Sequence, residues 1–217
     1  MGAKPSSDRT RVRREPRRGA YDRATIDAIL DEALVCHLGF AQSGQPFVIP
    51  TLFARIGDEV FVHGSSASRM LRTLDGGVDA CVTATLVDGI VLARSIFNHS
   101  INYRSVVVLG RTSAVDDPEE KRRALEAFTN RLLPGRWADA RPPTDTELKA
   151  TSILRMPLDE ASAKLRTGPP KDDEADYALS VWAGVIPVHL AAGPPEPDPR
   201  LHAGLTPPVW APTRKRS

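Results

Sequence analysis

The groups best suited to chemistry lie together in Phe61-Val-His-Gly-Ser-Ser-Ala-Ser-Arg-Met-Leu-Arg-Thr-Leu74. An apolar strand closes near Phe61, Gly64 permits a tight backbone, and Ser65, Ser66 and Ser68 offer hydroxyls that can cap a helix or donate to an anion. Arg69 follows within one turn. The N–H groups and positive dipole end of a helix start favour phosphate, and a guanidinium fork adds charge-assisted hydrogen bonds. The pattern therefore predicts a strand, an anion-binding turn and a short helix over 67–74. The same residues also fit a capped helix with a solvated arginine, so the turn by itself does not name a ligand. His63, at the strand end, titrates in the range that suits proton delivery or cofactor contact, and it can equally be a structural donor.

Strands and helices must position this turn. Ile26, Ile29, Leu30, Ala33 and Leu34 recur at helical spacing, with Asp22 or Thr25 able to cap, which predicts an amphipathic helix over 25–34. From Val35 the period becomes two. Cys36, Leu38 and Phe40 alternate, Ser43-Gly44 turns, and Phe47, Ile49, Thr51 and Phe53 share one face of the next strand. Gly57-Asp58 leads into Glu59–His63. Asp79–Val87 is read as a strand, Asp88-Gly89 as a hairpin turn and Ile90–Ala93 as its return, followed by a polar connection and a strand over Tyr103–Val115, the longest expected. Asp117-Pro118-Glu119-Glu120 starts a helix running to about Leu133, and Thr144 with Glu147 makes a capping box for a second. Ile153–Pro157 is another strand, an acidic loop holds Asp172, Asp173, Glu174 and Asp176, and Val181–Val188 closes the fold. The class is mainly β with added helices, antiparallel, and no dinucleotide or nucleophile-elbow motif supports a parallel α/β sheet.

At 217 residues, 41% hydrophobic and 26% charged, the chain has room for a real core in one domain. The net charge of +2 hides basic ends: Arg9, Arg11, Arg13, Arg14, Arg17 and Arg18, then Arg214, Lys215 and Arg216. Three parts are expected: an Arg-rich flexible arm over 1–19, a folded domain over 20–190 and a tail over 191–217. Seven of the 19 prolines lie beyond Gly193, which excludes a helix or central strand there. Without interleaved aromatics the basic ends do not point to nucleic acid. Cys36 and Cys81 sit in apolar runs without metal-ligand spacing, and no apolar run is long enough to span a bilayer, so the expectation is a reduced, cytoplasmic protein with no metal.

Phe47-Val-Ile-Pro-Thr-Leu-Phe53, Val62-His-Gly-Ser-Ser-Ala-Ser-Arg-Met70, Asn102-Tyr-Arg-Ser-Val-Val-Val-Leu-Gly110, Leu148-Lys-Ala-Thr-Ser-Ile153 and Trp182-Ala-Gly-Val-Ile-Pro187 together resemble the pyridoxamine 5′-phosphate oxidase-like FMN-binding split-barrel family, in the branch with nitroimidazole-resistance proteins. The resemblance covers roughly residues 20–190. It implies a six-stranded split barrel and a homodimer with FMN at the subunit interface. By the same resemblance Ser65, Ser68 and Arg69 hold the flavin phosphate, and His63 and Met70 beside them are expected among the cofactor-binding residues. Pro50, Thr51 and Leu52 line the ring edge, and Tyr103, Arg104 and Ser105 face the ring or ribityl chain. Trp182 either stacks near the partner's flavin or is a core residue. The implied function is an FMN-dependent oxidoreductase of small molecules, nitroreductase-like or pyridoxamine-phosphate-oxidase-like, with no assigned catalytic residue. The alternative is a non-enzymatic flavin-, F420- or haem-binding protein, and haem would need His63 or His99 as ligand. His99 otherwise reads as a surface loop residue, the favoured reading, or a substrate contact. His37 reads as a satisfied β-face residue, while Tyr21, Lys164 and Arg166 can approach an anion or form ion pairs. The chain departs from the vitamin-synthesis oxidases in lacking their C-terminal Arg and His flanking a Trp, which puts their substrate in doubt.

Overall fold

Alternation builds the sheet. On β3 (Gln45–Ile56) Phe47, Ile49 and Phe53 join the main core, while Leu52 and Ala54 on the other face meet a helix. The computed structural model describes residues 3–208, so Arg214, Lys215 and Arg216 lie outside the described residues. The remaining strands are β1 (Gly19–Ala20), β2 (Val35–Gln42), β4 (Glu59–Ser65), β5 (Asp79–Leu92), β6 (Ser100–Arg111), β7 (Ser113–Ala114), β8 (Thr151–Pro157), β9 (Ala161–Arg166) and β10 (Gly184–Pro187). The helices are α1 (Arg23–Glu32), α2 (Arg69–Asp75), α3 (Pro118–Leu132), α4 (Arg136–Asp139) and α5 (Asp145–Ala150). All pairings are antiparallel, in the order β1-β9-β6-β5-β2-β3-β4-β8-β7, with β10 added beside β5.

The expected six strands are ten in the observed sheet. The short β1, β7 and β10 extend it, and the segment 158–160 divides β8 from β9. β6 runs through Thr112 into β7, which pairs with β8, so the path from β6 by way of β5, β2, β3, β4 and β8 returns to the chain that continues β6.

The main core gathers Ile29 and Leu30 from α1, Leu71 and Leu74 from α2 and inward residues of the sheet such as Leu38, Phe53, Val82 and Met156, each at most 1% exposed. Such burial stabilises by roughly 1.5–3 kcal/mol per large side chain. A smaller cluster under α3 holds Ala54, Phe61, Val115, Ala124, Phe128 and Ile153. The predicted caps form: Asp22 accepts from the Thr25 N–H, Asp117 from the Glu120 N–H, and Thr144 and Glu147 close a reciprocal box.

Two expectations change. Asp88-Gly89 is a bulge within one continuous strand β5, with a register shift between Val87 and Gly89, so β5 and not the strand through Tyr103 is the longest. Gly89 is needed because β10 passes over it: a Cβ there would lie 2.8 Å from Val185 Cγ1. The described part of the N-terminal arm is also laid on the fold. Thr10 is buried, Val12 N–H donates to the Tyr21 hydroxyl at 2.9 Å, Arg9 pairs with Glu160, and β1 pairs with β9. Residues 191–208 form no helix or strand and are exposed. Among the described residues no helix is long and apolar enough to cross a membrane.

Candidate functional site

The backbone N–H groups of the turn between β4 and α2 are tied to α5 and to Ser65. Ser66 N–H donates to Ala150 O at 3.0 Å, Ser68 N–H to Ser65 O at 2.8 Å and Ala67 N–H to Ser65 Oγ at 3.2 Å. Ser68 occupies the N-cap position of α2, yet its hydroxyl makes no capping hydrogen bond. Gly64 brings α2 close, since a Cβ there would stand 3.1 Å from Leu71 Cδ1.

α2 buries Met70, Leu71 and Leu74 and turns Arg69 and Arg72 outward. Met70, expected beside the cofactor, has its side chain in the core on the helix face opposite the arginines. The Arg69 guanidinium lies 4.8 Å from the centre of the Phe47 ring, and Arg72 donates to Ala67 O at 2.8 Å. With Gln42 and Thr73 they line an open cavity of about 330 Å³ to which, among the described residues, no carboxylate contributes. Two guanidiniums, an amide and a hydroxyl suit a phosphate-bearing ligand. Arg72, Gln42 and Thr73 were not singled out from the sequence. The available signal was the spacing of Arg69 and Arg72, three apart and so on one helix face.

Register shows how the other candidates are distributed, because residues opposite one another in a ladder share a face. Pro50 pairs with His37 and Leu52 with Val35 on β2, His37 pairs with Thr83, Thr85 with Ser105 and Val87 with Tyr103, and Tyr103 and Ser105 pair with Arg166 and Lys164. Pro50, Leu52, His37, Tyr103, Ser105, Lys164 and Arg166 therefore lie on the outer face of the sheet. Thr51 and Arg104 lie on the inner one, so neither triplet of consecutive residues can present all its side chains to one ligand.

Arg104 is engaged on that inner face. It donates Nε and Nη2 to Asp88 at 2.8 Å each, and Nη1 and Nη2 to Glu32 at 2.6 and 2.8 Å. Its hydrogen bonds to the Glu32 and then to the Asp88 carboxylate raise its pKa far above the ordinary guanidinium value. The side chain joins the end of α1, the β5 bulge and β6, and these two carboxylates occupy the guanidinium that was expected to face a ring or ribityl chain.

His63 is half-buried in the cluster under α3, its ring 4.2 Å from that of Phe128 and tilted by 45°. Its buried Nδ1 has no hydrogen-bond partner among the described residues, and burial lowers its pKa. An imidazole resisting protonation in the fold makes stability fall once the pH drops below the unfolded value near 6.5, since there only the unfolded chain binds the proton readily. Above that pH both states are neutral and the group contributes no slope. We expect His63→Leu to remove an acid-side slope of at most about 1.4 kcal/mol per pH unit, read as urea midpoints at pH 7.5 and 5.5. Parallel wild-type and variant slopes would show that His63 titrates alike in both states.

Trp182 is 65% exposed, which rules out a core role; a Cβ on Gly184 would lie 2.9 Å from its ring. His99 is exposed, and its Nδ1 lies 2.9 Å from Ser95 O. Arg166 donates to Asn102 Oδ1 at 2.5 Å, and burial followed by the neighbouring Arg18 lowers its pKa. Cys36 is buried, its thiol pushed up to about 12 by burial, whereas Cys81, read as a core residue, is only half-buried on the outer face. Among the described residues no three His, Cys, Asp or Glu side chains are grouped to hold a metal.

The family model described as pyridoxamine 5′-phosphate oxidase matches residues 22–165. Among solved structures, the flavocytochrome Anf3 from Azotobacter vinelandii is 45% identical with a TM-score of 0.89, over 95% of this chain and 96% of the other. The FAD and heme binding protein from Mycobacterium smegmatis is 37% identical with a TM-score of 0.84, over 88% and 94%. A protein assigned to 5-nitroimidazole antibiotic resistance from Bacteroides thetaiotaomicron, at 23% identity and a TM-score of 0.55 over 67% and 85%, shares the fold. No curated protein matches the chain.

Proposed function

The chain belongs to the pyridoxamine 5′-phosphate oxidase family, and we propose that it is a flavin-binding oxidoreductase of small molecules whose flavin phosphates are held at the Ser65–Thr73 corner. The observation that carries this reading is the cavity lined by Arg69 and Arg72, with no acid among its described lining residues. Ser65, Ser68 and Arg69 would hold the phosphate of an FMN unit. Arg72, one turn on, suits a second phosphate, which favours FAD over the FMN expected from the sequence and accords with the FAD named for the Mycobacterium smegmatis protein. The flavin would supply the redox chemistry. The residues of this chain bind and orient it: the arginines and serines fix the phosphates, and the outer sheet face with Pro50, Tyr103 and Ser105 offers a surface for the remainder.

Val35 and Val48 on that outer face are 47% and 67% exposed, which supports covering by a second copy in a two-fold homodimer. The curled strand path that returns to β6 through β7 supports a split barrel. The purified protein should be yellow, have the mass of two chains by light scattering, and release on heating a flavin that phosphodiesterase converts to FMN. Release of FMN alone would return the site to a single-phosphate grip, and a protein that takes up neither flavin would overturn the reading.

A second prosthetic group is supported by a specific likeness: two similar structures above 30% identity are those of a flavocytochrome and of a FAD and heme binding protein. We propose that this chain also binds haem.

A further inference from the structure

Resting on that haem reading, we propose that His99 is the axial haem ligand of this chain, through Nε2, and that Ile96 and Phe97 pack on the macrocycle. Five histidines occur in the chain, all within the described residues. His99 is the only one of them whose ring nitrogen is hydrogen-bonded there, with Nδ1 2.9 Å from Ser95 O. A carbonyl oxygen only accepts, so Nδ1 carries the proton, and in the neutral imidazole the lone pair is on Nε2. Histidines that bind a metal commonly hold their other nitrogen against a backbone carbonyl in this way, which fixes tautomer and ring orientation.

The turn that carries His99 is itself anchored. The enclosed Asp172 carboxylate accepts from the backbone N–H of Arg94 at 3.0 Å and of Ser95 at 3.2 Å, and Ser95 Oγ accepts from the Phe97 N–H at 3.3 Å. This fixes the start of the short 3₁₀ turn Ile96–Asn98. Held in this way, Ile96 and Phe97 are nonetheless 90% and 93% exposed. Two large apolar side chains kept in water beside an oriented imidazole are what a flat, apolar, metal-centred ligand would cover. The other histidines lack this combination. His63 has Phe128 against its ring and its Nδ1 without a partner, and His37 stands on the sheet face between Pro50 and Thr83 in register.

The experiment uses the full chain, produced with haem precursor and titrated with hemin, comparing wild type with His99→Ala, His63→Ala, His37→Ala and Phe97→Asp. Wild type should show a Soret band and about one haem per chain. His99→Ala should lose the histidine-ligated spectrum while keeping its flavin absorbance, added imidazole should restore the band, and Phe97→Asp should retain several-fold less haem. His63→Ala and His37→Ala should keep the wild-type Soret band. A His99→Ala protein with an unchanged Soret band, or loss of that band in a different histidine variant, overturns the assignment. Absence of any Soret band in wild type after hemin titration instead overturns the haem reading on which it rests, leaving the flavin reading standing.

Discussion

Arg104→Ala should lower the unfolding free energy by about 2–4 kcal/mol, between the small effect of a solvated pair and the roughly 3–5 kcal/mol of a fully buried one, because the cluster is half-buried. The Arg104 side chain is 14% exposed, Asp88 15% and Glu32 27%, so water compensates them poorly. Two carboxylates would be left facing each other across the space the guanidinium filled. Hydrogen bonds spanning 72 and 16 residues of sequence would vanish together, loosening the end of α1 from the β5 bulge. The same reasoning predicts a rescue. Neutralising the acids in the variant, by Glu32→Gln with Asp88→Asn, should recover a large part of the loss, because the mutual repulsion of the two acids adds to the missing contact. Urea unfolding of the three proteins at neutral pH decides it. A loss below about 1 kcal/mol would mean that the clamp is solvated and behaves as a surface pair.

That clamp also marks where sequence reading stops. The starts of α1, α3 and α5 were legible because Asp22, Asp117 and the Thr144–Glu147 box act within three residues of where they stand. Asp88-Gly89 was not, although it carries a strong local turn signal. The distant Arg104 holds the Asp88 carboxylate and β10 runs over Gly89, so tertiary partners convert a turn dipeptide into a bulge. β10 could be seen as an apolar run without a partner, since nothing local says that it pairs with β5. For the site, the Ser and Arg types around residues 65–69 were visible from local chemistry. What went unread was geometry that the spacing already contained: alternation separates Tyr103 and Ser105 from Arg104, and helical period sets Arg72 beside Arg69 and Met70 away from both. The outward exposure of Ile96 and Phe97 had no sequence signal, because an apolar residue in a polar connection reads equally well as buried.

Arg69→Ala should weaken flavin binding about ten- to hundredfold, by removing a charge-assisted contact of roughly 1.5–3 kcal/mol. The substitution is clean because α2 is anchored by Met70, Leu71 and Leu74, while Arg69 is exposed and its guanidinium lies over the Phe47 ring. Folding should therefore be nearly unchanged, and the loss can be read as binding. Arg72 separates the two flavins. If it meets a second phosphate, Arg72→Ala should weaken FAD by about tenfold or more while leaving FMN nearly unaffected, whereas Arg69→Ala weakens both. Fluorescence titration of flavin-free protein with each nucleotide gives the four affinities. Because the two arginines line one cavity, the double variant need not lose the sum of the single losses. Unchanged FMN and FAD affinities in Arg69→Ala would remove the phosphates from this corner altogether. Equal losses for FMN and FAD in Arg72→Ala would mean that both arginines serve one phosphate, and that the cavity beyond it takes no part in telling the nucleotides apart.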